Sequence, residues 1–188
     1  MNHDEMPETL SIGSVETPLG RVWIAASDFG VRVVTVPGAT EAECIAVAGK
    51  RTVVAVGVAG DKPILDLAER ELCDYFAGTL RDFTVPLDLH GTPFQQRVWS
   101  AVFAVPYGAT TTYREIAEQI GSPNAFRAVG AANGANPAAI IVPCHRIIGS
   151  SGGLQGYGGG LHQKRALLDH EAGLCPFPSS PTSGDISR

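Results

Sequence analysis

Between residues 92 and 134 the chain is cut into short helices by its own caps and stops, and this punctuation restricts the fold more than any other feature. Thr92-Pro93-Phe94-Gln95 combines a capping threonine, a proline at the first helical position and a glutamine that closes a capping box. The apolar stripe Phe94, Val98, Ala101, Val102 and Val105 follows, and Pro106 ends it. Thr112-Tyr113-Arg114-Glu115 is a second box, which opens a short helix with Ile116, Ala117 and Ile120 inward and Gly121 as its stop. The turn Ser122-Pro123-Asn124 leads into a third helix over residues 125–134. Two short helices joined so tightly predict a helix-turn-helix.

The first ninety residues have a different pattern. Residues 20–27 and 31–36 are β-branched and apolar on either side of Asp28-Phe29-Gly30, which predicts a hairpin. Residues 52–59 form a further candidate strand, buried on both faces. Residues 64–77 form a helix with Leu65, Ala68, Leu72, Tyr75 and Phe76 on one side and Gly78 as its stop. Residues 1–9 are expected to be a loose tail. Nothing in this half demands chemistry, and Cys44 and Cys73 are expected to behave as small apolar core residues.

The fold class is therefore α/β: a small sheet domain over residues 1–90, then a mostly helical domain over 91–174. The tail 175–188 is Pro/Ser-rich and expected to be disordered. A chain of 188 residues can bury a real core. No apolar run approaches the ~20 residues of a membrane helix. The acidic N-terminus lacks the apolar stretch of a signal peptide, so a cytoplasmic protein with reduced thiols is expected. The four cysteines form no CxxC pair and no spaced Cys/His cluster, so no metal is expected. Net charge is −5, but it is unevenly placed: residues 1–93 carry −7 and residues 94–173 carry +2. That asymmetry hints that the second half faces a polyanion.

Three places in the second half invite a chemical reading. In the third helix, Ala125, Ala128, Val129 and Ala132 fall on one face, and Arg127, Gly130, Ala131 and Gly134 on the other. The small face fits close packing against another helix, and equally a helix pressed on a nucleic-acid backbone with one probing arginine. Asn136-Pro137 breaks that helix, and Ile140-Ile141-Val142 reads as a short apolar strand. Cys144 follows, in Pro143-Cys144-His145-Arg146, before the glycine-rich residues 150–160. Neighbouring cations can lower a thiol from near 8.5 to between about 3.5 and 7.5, making the thiolate a strong carbon nucleophile. Finally, on a last helix over residues 161–172, Glu171 falls inside the apolar sector of Leu161, Leu168 and Lys164, while Asp169 and His170 point elsewhere. A buried carboxylate needs a partner. Either it pairs with Lys164, or it orients His145 as an acid orients the base of a nucleophilic triad.

Pro143-Cys144-His145-Arg146, with Asn136-Pro137 before it and Tyr157 in the glycine loop after it, resembles the signature of the O6-alkylguanine-DNA alkyltransferases. These are the methylated-DNA–protein-cysteine methyltransferases. Thr17-Pro18-Leu19-Gly20, Tyr75-Phe76-Ala77-Gly78, Gly91-Thr92-Pro93-Phe94-Gln95, Val98-Trp99, Pro106-Tyr107-Gly108, Arg127-Ala128-Val129-Gly130 and His170-Glu171 also fit in order.

The resemblance implies a ribonuclease-H-like N-terminal sheet domain and a helix-turn-helix, winged-helix-like C-terminal domain. It implies irreversible, single-turnover transfer of an alkyl group from O6 of guanine, or O4 of thymine, to Cys144. His145 would act as base through a water, Glu171 would orient His145, and Asn136 would brace the turn before the active-site strand. Tyr113 would donate to a guanine ring nitrogen and crowd the phosphate. Arg127 would fill the hole left by a flipped base. The third helix would lie in the minor groove of double-stranded DNA, with Ala128, Ala131 and Gly134 on the contact surface. The carbonyls of Cys144 and Ile147 would accept from the guanine amino group, Tyr157 and Gly158 would cover the lesion, and Asn133 would stand at the pocket. No cofactor and no obligate protein partner are implied, and a monomer is expected. Two other classes remain open on the sequence: a reader that binds alkylated bases without transfer, and an unrelated cysteine hydrolase built on Cys144, His145 and Glu171.

Overall fold

The computed structural model describes residues 8–49, 52–55, 62–174 and 177. Strands β1 (Glu8–Thr17) and β2 (Gly20–Ala26) form an antiparallel hairpin. Its turn is closed by Thr17, whose hydroxyl donates to the Gly20 carbonyl at 2.6 Å. Strand β3 (Val31–Val34) pairs antiparallel with β2, so the expected Asp28-Phe29-Gly30 hairpin is present but shorter. Helix α1 (Glu41–Ala48), opened by a Thr40/Glu43 capping box, crosses over to β4 (Thr52–Ala55), which runs parallel to β1. The sheet order is β3-β2-β1-β4. Residues 56–59 of the expected fourth strand lie outside the described residues. The loose tail expected over residues 1–9 already enters β1 at its end.

The sheet is covered on both faces, as its two-residue period dictates. Leu10, Ile12, Ala25 and Val33 pack with Cys44 of α1. Val15, Val22, Ile24, Val31 and Val34 point the other way, into a core that holds Leu65, Ala68, Leu72, Tyr75 and Phe76 of α2 (Pro63–Phe76).

The same core continues into the second half, through Val98, Trp99 and Val102 of α3 (Pro93–Phe103), Ile116 and Ala117 of α4 (Tyr113–Gln119), and Val129 and Ala132 of α5 (Phe126–Gly134). Both predicted capping boxes close: the Thr92 and Thr112 side chains accept from the backbones of Gln95 and Glu115, whose side chains reach back. The Trp99 indole donates to the Ala132 carbonyl at 2.8 Å and ties α3 to α5. Between α3 and α4 lies β5 (Thr111–Thr112), paired in parallel with β6 (Ile147–Ile148), and α6 (Gly160–Glu171) closes the fold.

Backbone pairing at both ends of β3 adds to the shared core, and Gln163 Nε2 donates across the halves to Pro37 O at 2.8 Å. Val34 of β3 donates to Pro137 O at 2.9 Å and accepts from Ala139 N at 2.9 Å, so the free edge of the sheet carries the segment leading to Cys144. Residues 79–90 run past the start of β3, where Val31 N donates to Pro86 O and Asp88 N donates to Val31 O. The approach is so close that a Cβ on Gly30 would meet the Leu87 backbone at 2.7 Å. Glu71 of α2, 5% exposed, holds this segment by accepting from Thr84 N, the Thr84 hydroxyl and Val85 N. Of the expected tail, Phe177 stacks on His170 with centroids 4.7 Å apart, and the rest lies outside the described residues.

Glu71→Ala removes the acceptor of those donors and leaves the buried Val85 N–H unpaired. The expected cost is about 2 kcal/mol in urea unfolding, with Glu71→Gln losing roughly half as much. An unmoved urea midpoint in the alanine variant would show that residues 79–90 are held by other contacts.

Candidate active site

Cys144 is delivered by a strained turn, and not by the strand expected over residues 140–142. Ile140 has φ of 72°, a conformation that is costly for a β-branched residue, and Ala139 meets Val142 across a single bridge. Asn136 clamps this turn. Its Nδ2 donates to Val142 O at 2.8 Å and its Oδ1 accepts from Ala138 N at 3.1 Å. Cys144 then opens a 3₁₀ turn, Cys144–Arg146, that runs into β6.

The cysteine is 7% exposed and lines a cavity of about 600 Å³. Tyr113, Arg127, Asn133, Gly134, Asn136, Tyr157 and Gly158 line it too. Val36, beyond the end of β3, adds a wall from the sheet half. Asn133 Nδ2 donates to the Cys144 carbonyl at 3.4 Å. The Tyr157 hydroxyl and Asn133 Oδ1 are buried and hydrogen-bonded to no described residue.

Behind Cys144 lies a buried carboxylate. Glu171 Oε1 accepts from the Tyr75 hydroxyl at 2.7 Å, from His145 Nε2 at 2.8 Å and from Arg146 Nη2 at 3.0 Å. Its Oε2 accepts from Arg146 Nε at 2.9 Å and Gly108 N at 3.1 Å. Burial alone would raise this carboxyl, but the hydrogen bond from His145 and the hydrogen bonds and charge of the Arg146 guanidinium hold it at about 2. An ionised Glu171 accepts and cannot donate, so His145 carries its proton on Nε2. Nδ1 is then the basic nitrogen, buried and bonded to no described residue. Lys164 does not pair with Glu171. It is fully buried, and its Nζ donates to Ile147 O at 2.6 Å and Gln155 O at 2.9 Å, pinning the glycine loop to β6.

The expectation that cations lower the thiol pKa is not met. Burial pushes Cys144 up, and the Asn136 side chain, the Lys164 charge and nearby backbone N–H groups offset it only in part. Arg146, the adjacent cation, is turned away onto Glu171 and the Val105 carbonyl. Burial likewise pushes His145 down against the pull of Glu171. Both groups are therefore neutral at pH 7: a thiol beside an imidazole.

Of the residues singled out on the sequence, Cys144, Tyr113, Arg127, Asn133, Gly134, Asn136, Tyr157 and Gly158 meet at one cavity. His145 and Glu171 form the layer beneath. Ile147 is buried, its carbonyl holding Lys164. Ala128 and Ala131 are exposed on α5. Ala128 was expected to face the core; the buried positions are Val129, Ala132 and Asn133, because Ala125 only caps the helix and the Trp99 bond fixes α5 at Ala132. His170 is buried, with Nε2 2.9 Å from the Tyr75 carbonyl. Leu161, at the edge of the expected apolar sector, is 48% exposed.

On the sequence Tyr75 belongs to an apolar stripe and to a segment that fits the family, with no role at the site. A buried phenol needs a hydrogen-bond partner, and that requirement was the available signal. Arg127 is not the only long side chain beside the bare face of α5, because Phe126 stands next to it at the cavity rim. Among the described residues, no group of three or more His, Cys, Asp or Glu could hold a metal ion. No helix there is long and apolar enough to cross a membrane.

A family model for the 6-O-methylguanine DNA methyltransferase DNA-binding domain matches residues 93–173. A methylated-DNA–protein-cysteine methyltransferase of Mycobacterium bovis is 63% identical over 106 residues, 56% of this chain and 64% of the relative. The chain thus spans somewhat under two thirds of that relative's length. The relative of the same description in Methanosarcina acetivorans is 44% identical over 161 residues, 85% of this chain and 96% of its own. The crystal structure of Mycobacterium tuberculosis OGT in complex with DNA superposes with a TM-score of 0.75 at 44% identity, covering 88% of this chain and 95% of that one. With Cys144, His145 and Glu171 assembled beneath a helix-turn-helix, and with these likenesses in sequence and fold, the chain belongs to the methylated-DNA–protein-cysteine methyltransferase family.

Proposed function

We propose that this chain repairs alkylated double-stranded DNA by transferring an alkyl group from O6 of guanine, or O4 of thymine, to Cys144 Sγ. The observation that carries this reading is the nucleophile itself: a cysteine at a cavity of about 600 Å³, backed by a histidine whose tautomer is set by a buried carboxylate. The cavity is lined by α5, by Tyr113 at the start of α4, and by residues 155–158 of the glycine loop.

The ionisation states suggest an order of events. At rest the thiol keeps its proton. In the substrate complex that proton passes through a water to His145 Nδ1, and Glu171 stabilises the imidazolium. The thiolate attacks the alkyl carbon, a C–S bond forms, and the C–O6 bond breaks with its electron pair going to the base. Tyr113 donates to the ring nitrogen of the departing guanine, and the proton held by His145 restores neutrality. The thioether has no leaving group for return, so each molecule acts once.

The base must leave the stack before its O6 substituent reaches Sγ, which costs a few kcal/mol. In this reading α5 enters the minor groove on Ala128, Ala131 and Gly134, Arg127 fills the vacated hole, and Tyr157 and Gly158 cover the lesion. The Ile147 carbonyl accepts from Lys164 Nζ, and the Cys144 carbonyl accepts from Ile147 N–H and, at 3.4 Å, from Asn133 Nδ2, so the guanine amino group would take the place of that long Asn133 bond at Cys144. Residues 91–174 then carry binding and chemistry, and residues 1–90 brace them. The partner is DNA alone, met by a monomer.

Intact-mass spectrometry after incubation with a duplex containing O6-methylguanine tests the reading. One methyl group on Cys144 is expected, and Cys144→Ser should gain none while still binding the damaged duplex. Tight binding by wild type without a mass change would identify a reader instead of a transferase. Arg127→Ala should slow transfer from duplex DNA roughly tenfold or more relative to transfer from free O6-methylguanine, because only the duplex requires an extrahelical base. Equal losses on both substrates would make Arg127 structural.

The pH dependence follows from His145. Transfer needs a neutral Nδ1, and burial holds the imidazole below its ordinary value of 6.5. The rate should therefore stay level as pH falls to 6.5 and decline only below it. A decline beginning above pH 7 in stopped-time transfer assays would show that the imidazole is raised, not lowered.

A further inference from the structure

Phe126 is the first residue of α5, and its ring is 38% exposed at the rim of the Cys144 cavity. The Arg114 guanidinium lies 5.5 Å from the ring centroid and the Arg127 guanidinium 5.7 Å. Neither arginine has a carboxylate partner among the described residues. Gly130 and Gly134 follow Phe126 at a spacing of four, so the three positions share one helix face, and both glycines also line the cavity. That face is thus a bare track headed by an aromatic ring between two cations.

Each part of this arrangement narrows the ligand. A large apolar ring left in water gains by burial, so a partner that covers it is favoured. Two unpaired guanidinium groups beside it favour an anionic partner. The glycine track admits a surface that comes within backbone distance of the helix. A stack of bases edged by phosphates meets all three conditions, and apolar side chains next to basic ones are a recurrent means of parting such a stack.

We propose that Phe126 is a second DNA-inserting residue: its ring wedges against the base step beside the extruded nucleotide, while Arg127 occupies the vacated hole and Arg114 meets the neighbouring phosphate. The proposal rests on the reading that α5 lies in the groove of a duplex from which the alkylated base is flipped. It adds to that reading a stacking contact that holds the gap open from the side.

The test compares transfer rates from an O6-methylguanine duplex and from free O6-methylguanine, with the full chain, for wild type, Phe126→Ala, Phe126→Trp, Arg127→Ala and the Phe126→Ala/Arg127→Ala pair. The ratio of duplex to free-base rate should fall about tenfold in Phe126→Ala, as expected for loss of one aromatic stack on a base. Phe126→Trp, which keeps a ring, should restore it. The losses of the two alanine variants should multiply in the pair, because ring and guanidinium make separate contacts. An unchanged ratio in Phe126→Ala would overturn the wedge. So would a pair no worse than Arg127→Ala, which would make the ring only a prop for that arginine. Failure of the underlying reading would be visible separately, as a wild-type chain that gains no methyl group from the duplex, and it would remove the wedge as well.

Discussion

The carboxylate of Glu171 is the interaction on which the rest of the site depends. Five donors from four residues converge on its two oxygens, and they come from three places in the chain: Tyr75 on α2, Gly108 after α3, and His145 and Arg146 in the 3₁₀ turn. A buried charge is tolerable only when paired and hydrogen-bonded, and this one is saturated. Because the donors are spread so widely, the sheet half, the helical half and the active-site turn must all be in place before the charge is satisfied. The chemistry and the tertiary structure therefore share one constraint. Removing the charge would also strand Arg146, itself 5% exposed, so Glu171 is both the acceptor for His145 Nε2 and a buried ion-pair partner.

That arrangement explains the ionisation of the site. Enclosure disfavours a thiolate and an imidazolium alike, and the resting pair is neutral. Fixing the Glu171 charge sets the histidine tautomer, so the basic nitrogen is defined before any substrate arrives. A thiol that stays protonated until a substrate fills the cavity is also less exposed to oxidation, because reactivity follows thiolate character. The cations that would face DNA are held apart from this system. Arg114 and Arg127 surround an exposed ring at the cavity rim, whereas Arg146 and Lys164 are buried and bound to internal acceptors. With Arg146, Lys164 and Glu171 turned inward, the outward-facing charge over residues 94–173 is smaller than the formal +2, and Arg114 and Arg127 place two of its cations beside the cavity.

Local rules were legible in the sequence wherever a local cause decides the outcome. The capping boxes at Thr92 and Thr112 and the stripe of α2 depend on neighbours within a turn or two, and they are present. Helix α1 is not legible in the sequence, because its Ala-rich run buries only Cys44 and carries little apolar periodicity. The apolar run at 140–142 has the composition of a strand. It is bent into a turn by Asn136 and by the edge of β3, both set by tertiary contacts. Cys144, His145 and Glu171 could be singled out, but not Tyr75, whose partner lies 96 residues away. The direction of the thiol shift was unreadable for a similar reason: the sequence puts a cation next to Cys144, and only the fold shows that guanidinium turned away and the sulfur enclosed.

Enclosure holds His145 neutral, against the pull of Glu171, and the Glu171 carboxylate places the ring proton on Nε2, leaving Nδ1 bare. Nitrogen NMR of the imidazole rings, with His145 assigned by substitution, reads this directly in the resting protein. The result expected at pH 7 is a neutral ring with a protonated Nε2 and a bare Nδ1, converting to imidazolium only below pH 6.5. An imidazolium at pH 7, or a neutral ring protonated on Nδ1, would contradict it.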